Sequence, residues 1–254
     1  MSARRTGAGR EWWRTYFDAE WLRLHEPLFD ERQSRREVSA IRELLGVPHG
    51  ARILDAPCGW GRHTELFAEA GLDPYGADLS RALLERAGRP DARQGRYVAA
   101  DLRRLPFADA SFDATCNVFT SLGLFASDEE DVQVLREARR VLRPGGRLLL
   151  ESIHRDDVVA NYAERDAFTL PDGTEVTFRR RFDPVTGLSH EHMRWRRGDE
   201  RGTKTHVLRL RTATEIAGLL EQAGFVEPVW YGDWNGSSFT RRSPRVIVVA
   251  SRTA

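Results

Sequence analysis

At 254 residues, the chain is long enough for one α/β domain with an elaboration, or for a domain and a half. Its 39 basic and 38 acidic residues leave a net charge of +1, so composition supplies no general pull toward nucleic acid or a membrane surface. Two cysteines, Cys58 and Cys116, cannot make a disulfide framework, and no apolar run approaches the length of a membrane span. The expectation is a soluble cytoplasmic protein, with Met1–Arg10, rich in Arg and Gly and lacking an apolar centre, as a disordered start.

In chain order, Trp13, Phe17, Trp21, Leu24 and Leu28 recur at helical spacing, with Pro27 expected to break the run. A second helix is predicted over Arg32–Leu45, ended by Gly46. Strands are predicted at Arg52–Asp55, Asp73–Ala77, Arg96–Ala100, Phe112–Val118 and Arg147–Ser152. Helices follow the first strand to about Ala70, then occupy Arg81–Ala87 and Glu129–Leu142, with Pro144-Gly145-Gly146 as a turn. Alternation at this pace means a parallel sheet with right-handed crossovers. It stops near His154, and Thr169–Arg211 reads as strands joined by turns, a small antiparallel sheet. A helix at Thr214–Ala223 and strands at Val226–Tyr231 and Arg245–Ala250 close the chain.

The first strand leads into Asp55-Ala-Pro-Cys-Gly-Trp-Gly61 and then a helix, a strand–glycine turn–helix unit suited to a nucleotide. A dinucleotide fingerprint would need a third glycine where Thr64 stands, and Asp55 would sit badly beside a diphosphate. Ligands bind beyond the carboxyl ends of strands in an open parallel sheet, and Asp55, Asp78 and Asp101 close the first three strands. A carboxylate at Asp78 can accept from two ribose hydroxyls, and Asp101 from an exocyclic amine such as that of adenine. One such aspartate would read as a solvated strand end or helix cap; three in register point to a site. Cys58, in the turn, reads as a small space-filler ahead of a reactive thiol.

These stretches resemble the motifs of class I S-adenosylmethionine (SAM) methyltransferases. Asp55, Gly59 and Gly61 match the first motif, D-x-G-x-G-x-G, with Pro57 in place of its first glycine. Tyr75-Gly-Ala-Asp-Leu-Ser80 resembles the second, Ala100-Asp-Leu102 the adenine-contacting one, and Arg140-Val-Leu-Arg-Pro-Gly-Gly146 the approach to strand five. The resemblance implies a Rossmann-like, seven-stranded, mostly parallel sheet flanked by helices, with an antiparallel β insert and N-terminal helices forming a lid. It implies SAM as cofactor, S-adenosylhomocysteine as product, and Asp55, Ala56, Pro57, Gly59, Asp78, Leu79, Asp101 and Leu102 as cofactor contacts. Asn117, at the end of strand four, is where the family often sets a polar group near the methyl; a satisfied loop amide is the alternative. His154, just after strand five, is the candidate base by position, against a surface histidine. Trp13, Tyr16 and Arg36 are candidates to cover or bind the methionine carboxylate, against core packing or a surface salt bridge.

The expected division is a tail at 1–10, covering helices at 11–48, a SAM-binding core at 49–153, a substrate-binding insert at 154–211 and the rest of the core at 212–254. The expected activity is methyl transfer to N or O of a small molecule by a monomer or homodimer, with no metal, nucleic acid or membrane partner. Arginines of the insert could greet an acidic substrate or lie on a solvated face, and Trp234 could line the substrate pocket or sit in a hairpin turn. An RNA methyltransferase and a non-catalytic SAM-fold regulatory protein are the alternatives.

Overall fold

The computed structural model describes residues 11–88 and 96–253, so the expectation for residues 1–10 lies outside it. The N-terminal helical pattern divides into three pieces. Helix α1 spans Trp13–Tyr16 and α2 Ala19–His25, because Asp18 turns the chain and caps α2 by accepting from the Trp21 N–H at 2.8 Å. Pro27 lies in a 3₁₀ turn, Glu26–Leu28, and α3 runs Glu31–Leu45 to a left-handed Gly46.

The main sheet has the strands β1 (Arg52–Asp55), β2 (Asp73–Asp78), β3 (Tyr97–Ala99), β4 (Phe112–Asn117), β5 (Leu142–Ile153), β10 (Phe225–Tyr231) and β11 (Arg245–Arg252). Their spatial order is β10-β11-β5-β4-β1-β2-β3, parallel except that β11 runs antiparallel to both neighbours. This is the predicted seven-stranded α/β sheet. Helices α4 (Arg62–Glu69), α5 (Arg81–Ala87), α6 (Asp128–Val141) and α8 (Ala213–Gln222) make its crossovers and flanks. β1 shows why its strand is apolar on successive positions: Ile53 packs with α3 and α4 on one face, and Leu54 packs with Phe112 and Val134 on the other.

Two expectations are corrected. Pro144-Gly145-Gly146 is not a turn before β5 but an irregularity within it, where pairing with β4 shifts from Phe112↔Leu142 to Ala114↔Arg147. After His154 the chain first makes a short helix, α7 (Arg155–Ala160), and only then the antiparallel sheet. That sheet is β6 (Arg165–Thr169), β7 (Glu175–Asp183), β8 (Leu188–Arg197) and β9 (Glu200–Arg209), paired in sequence order.

The inner face of this second sheet clamps the N-terminal helices. Leu24 packs among Val176, Phe178, Met193 and Trp195, and the Arg23 guanidinium lies 4.6 Å from the Trp195 ring. The Lys204 ammonium donates to the Tyr16 carbonyl at 3.0 Å and to Asp18 at 2.7 Å, while Tyr16 Oη and His206 Nδ1 meet at 3.0 Å. His206 faces Glu191, whose other partner is Arg180, and His25 stacks on Trp21 with a ring separation of 4.4 Å. Burial lowers the pKa of both His25 and His206, opposed by Glu191. A buried neutral histidine resists protonation, so the clamp is intact above pH 6.5, the ordinary histidine value, and weakens as pH falls below it. Amide hydrogen exchange over residues 12–25, corrected for intrinsic pH dependence, should therefore accelerate between pH 7.5 and 5.5, and His206→Gln should flatten that response. A pH-independent rate in the native chain would contradict the clamp.

Candidate functional site

The carboxyl ends of β1 to β4 open into one cavity enclosing about 1020 Å³, counting its mouth. Asp55 ends β1 almost fully buried, accepting from Thr64 Oγ1 at 2.7 Å and from the Cys116 thiol at 3.6 Å. Burial raises its pKa, partly offset by nearby His63 and by the Thr64 hydroxyl. The turn that follows needs its glycines. Gly59 and Gly61 have φ of 55° and 79°, and a Cβ on Gly61 would lie 2.3 Å from Tyr97 Oη. Cys58 is buried and its thiol is pushed well up by desolvation, which makes it filler rather than a nucleophile.

Asp78 ends β2 and locks that turn: one carboxylate oxygen accepts from Gly59 N–H and the other from Ser80 N–H, both at 2.8 Å. Each oxygen keeps a second lone pair, the donor chemistry that a pair of vicinal hydroxyls requires. Burial raises the Asp78 pKa and the backbone donors pull it back. Asp101 is gripped by Arg103, with Nε donating to one oxygen at 3.0 Å and Nη2 to the other at 2.6 Å. Burial opposes ionisation there, but those bonds hold the Asp101 pKa down. Leu79 and Leu102 border the cavity between these carboxylates, an apolar slot bounded by acceptors.

The opposite wall is aromatic. Phe29 meets Trp60 and Phe119 with ring centroids 5.1 and 5.0 Å apart, and Trp13 packs on Phe125 at 5.1 Å. Phe17 and Trp21 bring the lid helices to the same space, and the Phe17 carbonyl accepts from Ser80 Oγ. Arg62 lies against this wall, 4.8 Å from the Phe29 ring and 5.8 Å from Phe119, and Arg103 lies 5.0 Å from Trp13 and 5.1 Å from Phe125.

Comparison with known proteins bears on this geometry. Residues 54–150 match the family described as "Methyltransferase domain". The chain is 38% identical over 120 residues to a demethylmenaquinone methyltransferase of Renibacterium salmoninarum, covering 46% of this chain and 48% of that one. It is 36% identical over 112 residues to a malonyl-[acyl-carrier protein] O-methyltransferase of Pseudescherichia vulneris, covering 44% and 43%. The chain thus spans about half the length of the curated relatives it matches. Among solved structures it shares its fold with the CcbJ methyltransferase of Streptomyces caelestis, at TM-score 0.80, 17% identity and coverage of 95% and 99%. It also shares it with SAM-bound CalS10, an amino pentose methyltransferase of Micromonospora echinaspora, at TM-score 0.70, 23% identity and coverage of 92% and 97%. Residues 54–150 thus form a class I SAM-dependent methyltransferase domain.

Of the predicted residues, Asp55, Pro57, Gly59, Asp78, Leu79, Asp101 and Leu102 of this methyltransferase domain line the cavity, and Trp13 of the N-terminal helices lines it with them. Five predicted residues do not. Ala56 is a backbone rung, bonded to the Cys116 carbonyl and accepting from Asn117 Nδ2. Asn117 is therefore held under the sheet by that 2.9 Å bond and borders a small internal void instead of the cavity. Its satisfied-amide reading applies to Nδ2; its Oδ1 has no partner among the described residues. His154 is buried, with Nδ1 2.7 Å from the Ser243 carbonyl and its ring against Phe239, and it does not line the cavity. Tyr16 is committed to the His206 clamp. Arg36 borders a separate groove beside α3 that also includes Trp234, so neither reaches the cavity. Trp12 likewise packs on Tyr16 and His206.

Sequence reasoning missed Arg62, Phe29, Phe119 and Thr120. The last two sit in the left-handed region, with φ of 67° and 56°, just beyond β4. Buried Glu151 holds them there by accepting from Phe119 N–H at 2.6 Å, and Thr120 Oγ1 accepts from Ile153 N–H. No local pattern announces this, whereas Arg62 follows the glycine turn directly and could have been weighed.

Arg62 and His63 share one anchor. Glu37 of α3 is buried, and a single oxygen of its carboxylate receives Arg62 Nη1 at 2.5 Å and His63 Nε2 at 2.8 Å. Burial would push the Glu37 pKa up, but the His63 bond and the Arg62 charge carry it down to about 2. A carboxylate acts only as an acceptor, so His63 Nε2 is the donor. A depressed carboxyl contributes stability above its ordinary value of 4.5 that is lost as pH falls through about 2. Glu37→Gln should cost about 3–5 kcal/mol at pH 7, as for breaking a buried pair. Urea denaturation should show that difference shrinking between pH 4.5 and 2; a constant difference would mean Glu37 contributes by shape alone.

Proposed function

We propose that the chain moves a methyl group from SAM to an amine nitrogen of a small molecule. Asp78 accepts from the ribose hydroxyls, Asp101 from the adenine amine through the lone pair Arg103 leaves open, and Leu79 and Leu102 flank the base. The glycine turn lets backbone approach the sulfur end, and Asp55 contributes negative field near a sulfonium. The cofactor supplies an electrophilic methyl, so the chain's part is to align a nucleophile and exclude water.

The observation that carries the nitrogen assignment is that the titratable oxygens and imidazole of the cavity are already engaged. Asp55 is held by Thr64 and Cys116, Asp78 by two backbone N–H groups, Asp101 by Arg103 and His63 by Glu37. A hydroxyl acceptor needs a base, whereas an amine attacks in its neutral form. The aromatic wall of Phe29, Trp60 and Phe119 suits the ring or alkyl body of such an acceptor and attracts its ammonium form.

Calorimetry should show binding of SAM and S-adenosylhomocysteine and none of NAD. Asp78→Ala should weaken SAM roughly 10- to 100-fold, the loss of charge-assisted hydrogen bonds, with a folded circular dichroism spectrum retained. Unchanged affinity would remove Asp78 from the site. Incubation with SAM and matched panels of small amines and alcohols, read by mass spectrometry, should methylate amines only; methylated alcohols alone would overturn the nitrogen assignment.

A further inference from the structure

The antiparallel sheet has two faces of opposite character. Strand alternation turns Val176, Phe178, Met193 and Trp195 inward, together with Arg180, which is paired to Glu191 at 2.6 Å. The outward positions of the same strands include Arg165, Arg179, Arg181, Arg194 and Arg201, all exposed. Among the described residues none of these five has a carboxylate within ion-pair distance, whereas Arg196 on the same face pairs with Glu175 at 3.2 Å.

The register sharpens this. Arg165 lies directly opposite Arg179, and Arg196 opposite Arg201. Like charges in cross-strand register destabilise a sheet; Glu175 offsets this at Arg196, but no carboxylate among the described residues does so at Arg165 and Arg179. Arg165, Arg179, Arg194 and His192 also border one shallow depression with Ala167 and Thr177, whose single carboxylate, Asp166, is paired with Arg180 at 3.4 Å. Since the whole chain is only +1, this positive field is local.

We infer that this face docks a folded protein that presents a carboxylate-rich surface. Arginine forks bind planar carboxylates in pairs, and the threonines between them, Thr177, Thr203 and Thr205, add hydroxyls without bulk. The face carries no outward Phe, Tyr or Trp on which a nucleic-acid base would stack, and its outward His192 ring is tied between Thr205 Oγ1 at 3.1 Å and Arg194 Nε at 3.1 Å. It has no apolar anchor of the kind that seats a helix or sheet in a bilayer. Glu175 and Asp183 punctuate its edge, which a patterned protein surface can match and a continuous phosphate backbone cannot. The partner would lie on the back of the sheet whose front holds α2, and through α2 the lid.

The test uses the full chain and the triple variant Arg165→Gln, Arg179→Gln, Arg194→Gln, none of which touches the cavity. Poly-L-glutamate, duplex RNA and phosphatidylglycerol vesicles are titrated against both at low and physiological salt. The expected result is poly-L-glutamate binding that weakens with salt, falls at least tenfold in the triple variant, and persists in a control carrying Arg35→Gln. SAM affinity should match in native and triple-variant chains, and the unfolding midpoint of the variant should be equal or higher, because it loses the Arg165–Arg179 repulsion. Absence of poly-L-glutamate binding, or binding that survives the triple substitution, overturns the inference. Tighter, variant-sensitive binding of the RNA or the vesicles overturns it in favour of that partner.

Discussion

Glu37 ties the covering helix α3 to the start of α4, adding a buried charge to the apolar packing and the Arg35–Glu69 pair that also join the two helices. It belongs to α3, outside the sheet, yet its carboxylate holds the first two residues of α4, immediately after the glycine turn. The first turn of α4 thereby gains an external acceptor for its two cationic or polar side chains at the point where it borders the cavity. Because one oxygen serves both Arg62 and His63, displacement of α3 would release both cations at once. Arg62 in turn supports Phe29 and Phe119, so the aromatic wall rests on the same buried charge. A pair this deep gives little net stability against an apolar replacement. Its value lies in geometry: it specifies where the covering helices meet the cofactor turn.

The cavity is built by spending local conformational preference at its rim. Phe119 and Thr120, two consecutive side-chain-bearing residues with positive φ, cost about 1–2 kcal/mol each relative to ordinary backbone. The compensation comes from β5 and β11, where Glu151 accepts from the strained Phe119 amide and is itself held by Arg245 at 2.5 Å. A buried acid fixes each side of the site: Glu37 under Arg62, Asp78 under Gly59, Glu151 under Phe119. In each case a carboxylate on one element receives a donor from a loop of another or from the first residue of the helix that follows it. Rigid elements thus define loop positions without the loops needing a regular structure of their own.

What the sequence made legible divides along the same line. The strands of the main sheet could be placed because burial on both faces demands successive apolar residues, and their ends because Asp55 and Asp78 interrupt those runs. Asp55, Asp78 and Asp101 were visible as a site because topology alone brings strand ends together. Asn117 and His154 had equally suggestive positions, but a position at a strand end does not fix the direction of a side chain. Asn117 turned to the Ala56 carbonyl and His154 to that of Ser243, residues 61 and 89 away in sequence. Arg36 and Glu37 border the same groove beside α3, but only Glu37 also reaches inward to hold Arg62 of the cavity wall. The Phe119–Thr120 turn was illegible because its cause, Glu151, lies on another strand.

The antiparallel sheet follows from a period of two applied to a sequence dense in arginine. Arg179-Arg180-Arg181 reads as one basic run, yet alternation sends the middle guanidinium to Glu191 and its neighbours to solvent. The inward set is neutralised and apolar, and it packs against α2. The outward set keeps its charge. A sheet needing only solubility would have tolerated mixed signs on that face, and such mixing occurs at Glu175–Arg196. That it is abandoned at Arg165 and Arg179 is a departure from what folding favours, since cross-strand repulsion is borne for no intramolecular return. One sheet thus meets two demands: its front fixes the helices that cover the cavity, and its back leaves charge available.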